Sequence, residues 1–173
     1  AAVRMRDLAA RAGVNLASVN YHFKSKDELY MEVARLIVNL FLKQYVPYIE
    51  RYEKIKTTRN ANDARVLIKD VLASRIRCES DHNRYSRYVV LILMREELYN
   101  GEAFDLFLKE LFIPRTNMIS ELVEISTKNR IKGSDARIAA KILLGQTHLF
   151  NSARLGVKMD MNWKIFGKAE AEK

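Results

Sequence analysis

The sequence predicts an all-α protein, with an N-terminal helix-turn-helix followed by a larger helical region. Three observations carry this. Apolar residues recur at i, i+3, i+4 and i+7 through successive segments, the signature of helices that bury one face. Only two prolines and six glycines interrupt 173 residues that are 49% hydrophobic, which favours long folded helices. Val89–Met94 (VVLILM) is the run that periodicity also allows as a strand. Its REEL flank, and the lack of any strand to pair with it, make it a fully buried helix.

The first helix places Met5, Leu8, Ala9 and Ala12 on one face. Gly13 follows where a helix ends most easily, because glycine takes the left-handed conformation without penalty. Asn15 then caps a second helix by accepting a bond from a free backbone N–H. In that helix Leu16, Val19 and Phe23 share a face, and Val19 and Phe23 are assigned to the core. Ser18, Asn20, Tyr21 and His22 lie opposite, beside the small Ala17. A helix whose outer face is small and hydrogen-bonding suits a major groove. On spacing alone, an ordinary helical hairpin with a wet polar face fits equally well.

Ser25 and Glu28 form an S-x-x-E capping box, which starts a third helix near Lys26. Its stripe of Leu29, Val33, Leu36, Ile37, Leu40 and Phe41 extends to about Gln44. Pro47 sets a boundary or kink, with a polar helical stretch to about Lys56 beyond it. Thr57–Asn62 is the clearest linker in the chain. Ala64, Leu67, Val71, Leu72 and Ile76 give the next helix, to about Glu79, and Ser80–Asn83 reads as a turn and cap cluster. Tyr85–Leu98 follows, and Gly101 breaks the chain. A helix carrying Phe104, Leu108 and Leu111 bends near Pro114 and resumes to Arg130. Ile131–Gly133 ends it, and Ser134 caps a helix from Asp135 to about Leu155.

The formal net charge is +9. Between Ala1 and Lys26 stand Arg4, Arg6, Arg11, Lys24 and Lys26 against Asp7 alone; five minus one puts +4 there. Phosphate contacts by such residues supply most non-specific DNA affinity. Binding an anionic membrane requires a long apolar helix face beside the charges, which these short helices lack. The expected partner is therefore nucleic acid and not a membrane. The longest apolar run is far short of a bilayer span, and no N-terminal segment has signal-peptide design. The single cysteine, Cys78, excludes an intramolecular disulfide framework and fits a reducing compartment. The expected location is the cytoplasm.

Catalytic chemistry finds no foothold. His22, His82 and His148 fall in different elements, none with a second ligand at metal spacing. There is no glycine-rich phosphate loop, nucleophile elbow or HExxH. Glu96 and Glu97 are adjacent and point about 100° apart on a helix. No catalytic residue, metal or cofactor is assigned, and the protein is not expected to be an enzyme.

The run AGVNLASVNYHFKSKDELY (Ala12–Tyr30) resembles the DNA-binding signature of the TetR family of bacterial transcription regulators. It has that signature's AGV turn, its recognition helix ending in aromatic-His-Phe, and its S-K-x-x-L start to the following helix. The resemblance implies that Tyr21, His22 and Lys26 contact the DNA backbone. Ser18 and Asn20 join them from the exposed face. Asn20 departs from the aromatic residue usual there, but Asn can bond adenine bidentately or bind phosphate. Asn15 and Ala17, near the helix N-terminus, and Lys24 are further candidates, and Arg4 and Arg6 reach flanking phosphates. The resemblance also implies a longer helix that packs behind the hairpin and closes a three-helix unit. The chain opens on Ala1-Ala2-Val3, so this helix is expected upstream. The chain then divides into a helix-turn-helix domain with its connecting helix, residues 1–44, and an all-helical ligand-binding and dimerisation domain, residues 45–173.

Met94–Glu96, a helix ending Ile113-Pro114-Arg115, and Ile142–Arg154 resemble, more weakly, the C-terminal domain of CecR-type TetR regulators. A ligand pocket is expected among helices 63–79, 84–98 and 102–130. Tyr88, Arg95, Glu96 and Phe104 are its candidate residues, with Arg95 and Glu96 as polar anchors or a buried ion pair. For Tyr85, Tyr88, Met94 and Phe104 the alternative is ordinary core. The helix from Asp135 carries Ile138, Ile142, Leu143, Leu149 and Phe150. Gly145 allows close approach there, and Gln146 and His148 can bond across a symmetry axis, so a homodimer is expected. The expected function is a DNA-binding transcription regulator, a repressor released from a palindromic double-stranded operator by a small molecule. The alternatives are an architectural DNA-binding protein without effector and a small all-α enzyme.

Overall fold

Every regular element among the described residues is a helix. The computed structural model describes residues 3–80, 84–152 and 154–162, without the side chains of 77–80, 84–87, 148–152, 154, 155 and 158. In chain order the helices are α1 (Met5–Ala12), α2 (Leu16–His22), α3 (Lys26–Thr58), α4 (Ala61–Ser80), α5 (Arg84–Tyr99), α6 (Phe104–Phe107), α7 (Ile113–Ser126), α8 (Gly133–Ser152) and α9 (Arg154–Asp160). A wide π-helical turn, Leu108–Phe112, joins α6 to α7.

Helix α3 has 33 residues, roughly 50 Å of helix. The expected end near Gln44 is thereby corrected, because the helix runs through Pro47 to Thr58. Proline removes one backbone bond and crowds the carbonyl four residues earlier. On either side of it, however, Tyr45, Tyr48 and Tyr52 pack against the core, and their burial carries the helix across the gap. The expected linker shrinks to two residues. Arg59 takes a left-handed φ of 50°. Asn60 caps α4, its Oδ1 accepting from the N–H groups of Asn62 at 2.9 Å and Asp63 at 3.1 Å. Of the expected turn after it, Asp81–Asn83 lie outside the described residues.

Helix α5 forms as expected, but its VVLILM run is not fully buried. Leu91 is 52% exposed and Met94 is exposed too, while Val89, Ile92 and Leu93 pack inward. Val90 and Met94 line a cavity against α3, and Leu91 is left outward, so only part of the run is packed against apolar partners. Proline explains the π turn as well. Pro114 has no N–H to give the Glu110 carbonyl, so the chain takes one wider turn in which the Ile113 N–H reaches the Leu108 carbonyl. Helix α7 stops at Ser126, short of the expected Arg130, because Lys128 and Asn129 take left-handed conformations.

Two apolar cores form. In one, Leu67 and Val71 of α4, Ile119 and Leu122 of α7 and Leu144 of α8 interlock with Ile55 of α3. Ala64, Ala136 and Ala140 let α4 and α8 come close to their neighbours there. In the other, Ala34, Ile37 and Val38 of α3 meet Ala103, Phe107 and Leu111. The single long helix α3 joins both.

Candidate nucleic-acid interface and cavity

The hairpin is built by backbone capping at each junction. At the end of α1, Gly13 takes φ 67°. Its N–H bonds the Ala10 carbonyl at 3.2 Å while the Val14 N–H bonds the Ala9 carbonyl at 3.0 Å. This double bond pattern is the Schellman ending, which satisfies carbonyls a helix would otherwise leave open. Asn15 caps α2, its Oδ1 accepting the Ala17 N–H at 2.8 Å. Ser25 Oγ accepts the Glu28 N–H at 3.0 Å. The Glu28 carboxylate returns to the Lys24 N–H at 2.8 Å, one residue earlier than the ordinary capping box places it. The turn between α1 and α2 and the turn into α3 are thus both tied to the backbone.

The candidate DNA contacts come from the start of α1, from α2 with its cap, and from the turn into α3. Arg4, Arg6, Asn15, Ala17, Ser18, Asn20, Tyr21, His22, Lys24 and Lys26 are all exposed. Tyr21, 85% exposed, meets His22 edge-on with ring centres 5.3 Å apart. An aromatic this bare on a short helix beside several cations is suited to a polyanion. Val19 and Phe23 point inward but are only half-buried, and α2 has no fully buried residue. The expectation that both are core is corrected to partial burial. Within the hairpin α1 is the neighbour of α2, and Ala9 is the one residue of α1 that is fully buried.

Between the two cores lies a cavity of about 630 Å³. Phe41, Tyr45, Ile49 and Tyr52 of α3 form one wall, and Val90, Leu93 and Met94 of α5 another. Phe104, Leu108, Leu111, Phe112 and Met118 close it from α6, the π turn and α7, with Leu144 and Gly145 from α8. Carboxylates at its edge belong to the exposed Glu53, Glu97 and Glu110. Deeper in, the buried Arg75 donates from Nε to Thr147 Oγ1 at 2.9 Å and lies 3.5 Å from the Tyr45 hydroxyl. The Tyr52 hydroxyl bonds the Glu121 carboxylate, and burial together with that bond raises its pKa well above the ordinary value. The space is mostly apolar, with a few fixed polar groups, as small-molecule sites usually are.

Of the four residues proposed for a pocket, Phe104 lines this cavity. Tyr88 and Arg95 are exposed and stand outside its wall. Glu96 is buried, 2% exposed, and faces elsewhere. Its Oε1 accepts from the Tyr30 hydroxyl at 2.6 Å and its Oε2 from the Ala103 N–H at 2.8 Å. Burial and the neighbouring carboxylate push the Tyr30 hydroxyl up to about 12. The wall contributed by α3 went unforeseen, although a signal existed. Phe41, Tyr45, Tyr48 and Tyr52, at i, i+4, i+7 and i+11, are an aromatic stripe that continues past Pro47.

On α8 the inward face is Ala136, Ala140, Leu144 and Thr147. Ile138 and Ile142, each 57% exposed, stand on the outward side with the exposed Gln146, and the exposed Gly145 sits where this side meets the cavity wall. Leu143 packs toward the core. The side chains of His148, Leu149 and Phe150 lie outside the described residues. No helix among the described residues is long and apolar enough to cross a membrane.

Known protein families match two stretches of this chain. Residues 1–33 match the family of bacterial regulatory proteins described as the tetR family. Residues 68–173 match the C-terminal domain family of the HTH-type transcriptional dual regulator CecR. A similar protein is the HTH-type transcriptional dual regulator CecR of Shigella flexneri, 23% identical over 171 residues, covering 96% of this chain and 75% of that protein.

Proposed function

We propose, from the premise that this chain belongs to the TetR family of transcription regulators and carries a CecR-type C-terminal domain, that it is a repressor released from a palindromic operator by a small molecule. The observation that carries this is the path of α3. One continuous helix starts at the hairpin that would meet DNA and, further along, supplies the aromatic wall of the cavity. A ligand that seats against Phe41, Tyr45 and Tyr52 therefore touches the same rigid element that holds α1 and α2. Such a ligand shifts DNA affinity only if it binds the released arrangement more tightly than the bound one, and the effect is reciprocal.

In this proposal the exposed face of α2, with Ser18, Asn20, Tyr21 and His22, enters the major groove. Arg4, Arg6, Lys24 and Lys26 meet phosphates around it, with Asn15 and Ala17 at the helix start. Two copies pair through the outward face of α8 at Ile142, Gly145 and Gln146, and so place two recognition helices about 34 Å apart. The protein acts in the cytoplasm, where its operators are. Selection of bound sites from random DNA tests the proposal, and a two-fold symmetric sequence is the expected product. Enrichment of a sequence without that symmetry, together with a monomer in sedimentation at micromolar concentration, would falsify it.

A further inference from the structure

We infer that Tyr30 and Glu96 form the positioning contact that sets how the helix-turn-helix is held on the helical body, and with it the half-site spacing the protein accepts. The inference rests on the dimeric, operator-binding proposal and adds the residues that fix its geometry. Tyr30 is the fifth residue of α3, next after the hairpin and its cap. Its hydroxyl donates to Glu96, 66 residues away in sequence and on the last turn of α5. The other carboxylate oxygen takes the Ala103 N–H just before α6. One buried carboxylate thus joins the helix that leaves the DNA-binding unit to the α5–α6 corner of the body.

The corner is shaped around this group. A Cβ on Gly101 would lie 2.3 Å from Glu96 Oε2 and 2.5 Å from both Cδ and Oε1, so the turn can wrap the carboxylate only with glycine there. A buried charge with two donors has little freedom, because giving up either bond leaves it under-satisfied where water cannot substitute. Around it the body is also the cavity wall: Met94 and Glu97 flank Glu96 on α5, and Phe104 follows Ala103.

The test uses the full chain and the selected operator, with half-site spacing native, one base pair longer and one shorter. Wild type is expected to bind the altered operators about tenfold more weakly, because spacing is a geometric property of the dimer. Tyr30→Phe keeps the ring and loses the bond; its preference should flatten to roughly threefold or less, with loss concentrated on the native spacing. Glu96→Ala breaks the same contact from the other side and should flatten it likewise. Glu96→Gln retains both bonds, with its oxygen on the Ala103 N–H and its amide donating to the Tyr30 oxygen, and should keep the wild-type preference. Equal weakening by Tyr30→Phe at all three spacings, or a preference as sharp as wild type, overturns the inference and leaves the operator proposal standing. Wild type that selects no palindrome overturns the operator proposal itself.

Discussion

Replacing Gly101 by alanine is the most local way to perturb the α5–α6 corner. The added Cβ would sit within 2.5 Å of all three carboxylate atoms of Glu96, so no rotation of the carboxylate about its own bond relieves the clash. The whole group must swing away, losing the Tyr30 hydroxyl at 2.6 Å and the Ala103 N–H at 2.8 Å. Hydrogen bonds to a charged group contribute about 1.5–3 kcal/mol each, and a carboxylate that reaches water recovers part of this. The two bonds sum to about 3–6 kcal/mol, and with that recovery the expected loss is about 2–4 kcal/mol. For a chain of this length that lowers the melting midpoint by roughly 5–15 °C. The control is the double-mutant cycle with Glu96→Ala, whose side chain stops short of the clash. In that background Gly101→Ala should cost under about 1 kcal/mol, since interacting neighbours are not additive. Urea unfolding of the four proteins gives the answer. A midpoint unchanged by Gly101→Ala, or an equal cost in both backgrounds, refutes the steric argument.

Three further outcomes follow from the same structure. Ile119→Ala removes a fully buried side chain at the centre of the α4–α7–α8 core and should cost about 2–5 kcal/mol, whereas Leu36→Ala, at a site 57% exposed, should stay within about 0.5 kcal/mol by denaturant unfolding. The Tyr30 hydroxyl keeps its proton to about pH 12 in the fold against 10.0 in an open chain. Its contribution is fully present below pH 10.0 and is lost as pH rises through about 12, so the stability gap between wild type and Tyr30→Phe should be constant at first and then close across that window; a gap that widens there contradicts the assignment. Arg6→Ala should reduce the slope of log affinity against log salt by about 0.9 if Arg6 meets a phosphate, while Arg51→Ala, whose guanidinium pairs with Asp70 at 2.8 Å on the helical body, should leave the slope unchanged in fluorescence-anisotropy titrations.

The sequence by itself determined what depends on neighbours along the chain. The end of α1 at Gly13, the Asn15 and Ser25 caps and the polar outer face of α2 are local events, set by residues within four positions of one another. The all-helical class and most helix starts follow from the same short-range rules. Only the tertiary structure decided what depends on the other side of a contact. Pro47 looked like a boundary because one backbone bond is lost there, but tyrosines on both sides bury themselves in the core and carry α3 through it. VVLILM looked fully buried because hydropathy records what a side chain prefers, whereas burial also needs a neighbour, which Val89, Ile92 and Leu93 find while Leu91 stays half exposed. Glu96 stood among candidate pocket residues by its place after an apolar run. Its partners, Tyr30 and the Ala103 N–H, were fixed only when α3, α5 and the corner before α6 came together. The cavity arose in the same way: each wall helix needed only its own periodicity to form, and the space between them exists because the two cores lie apart along one long helix.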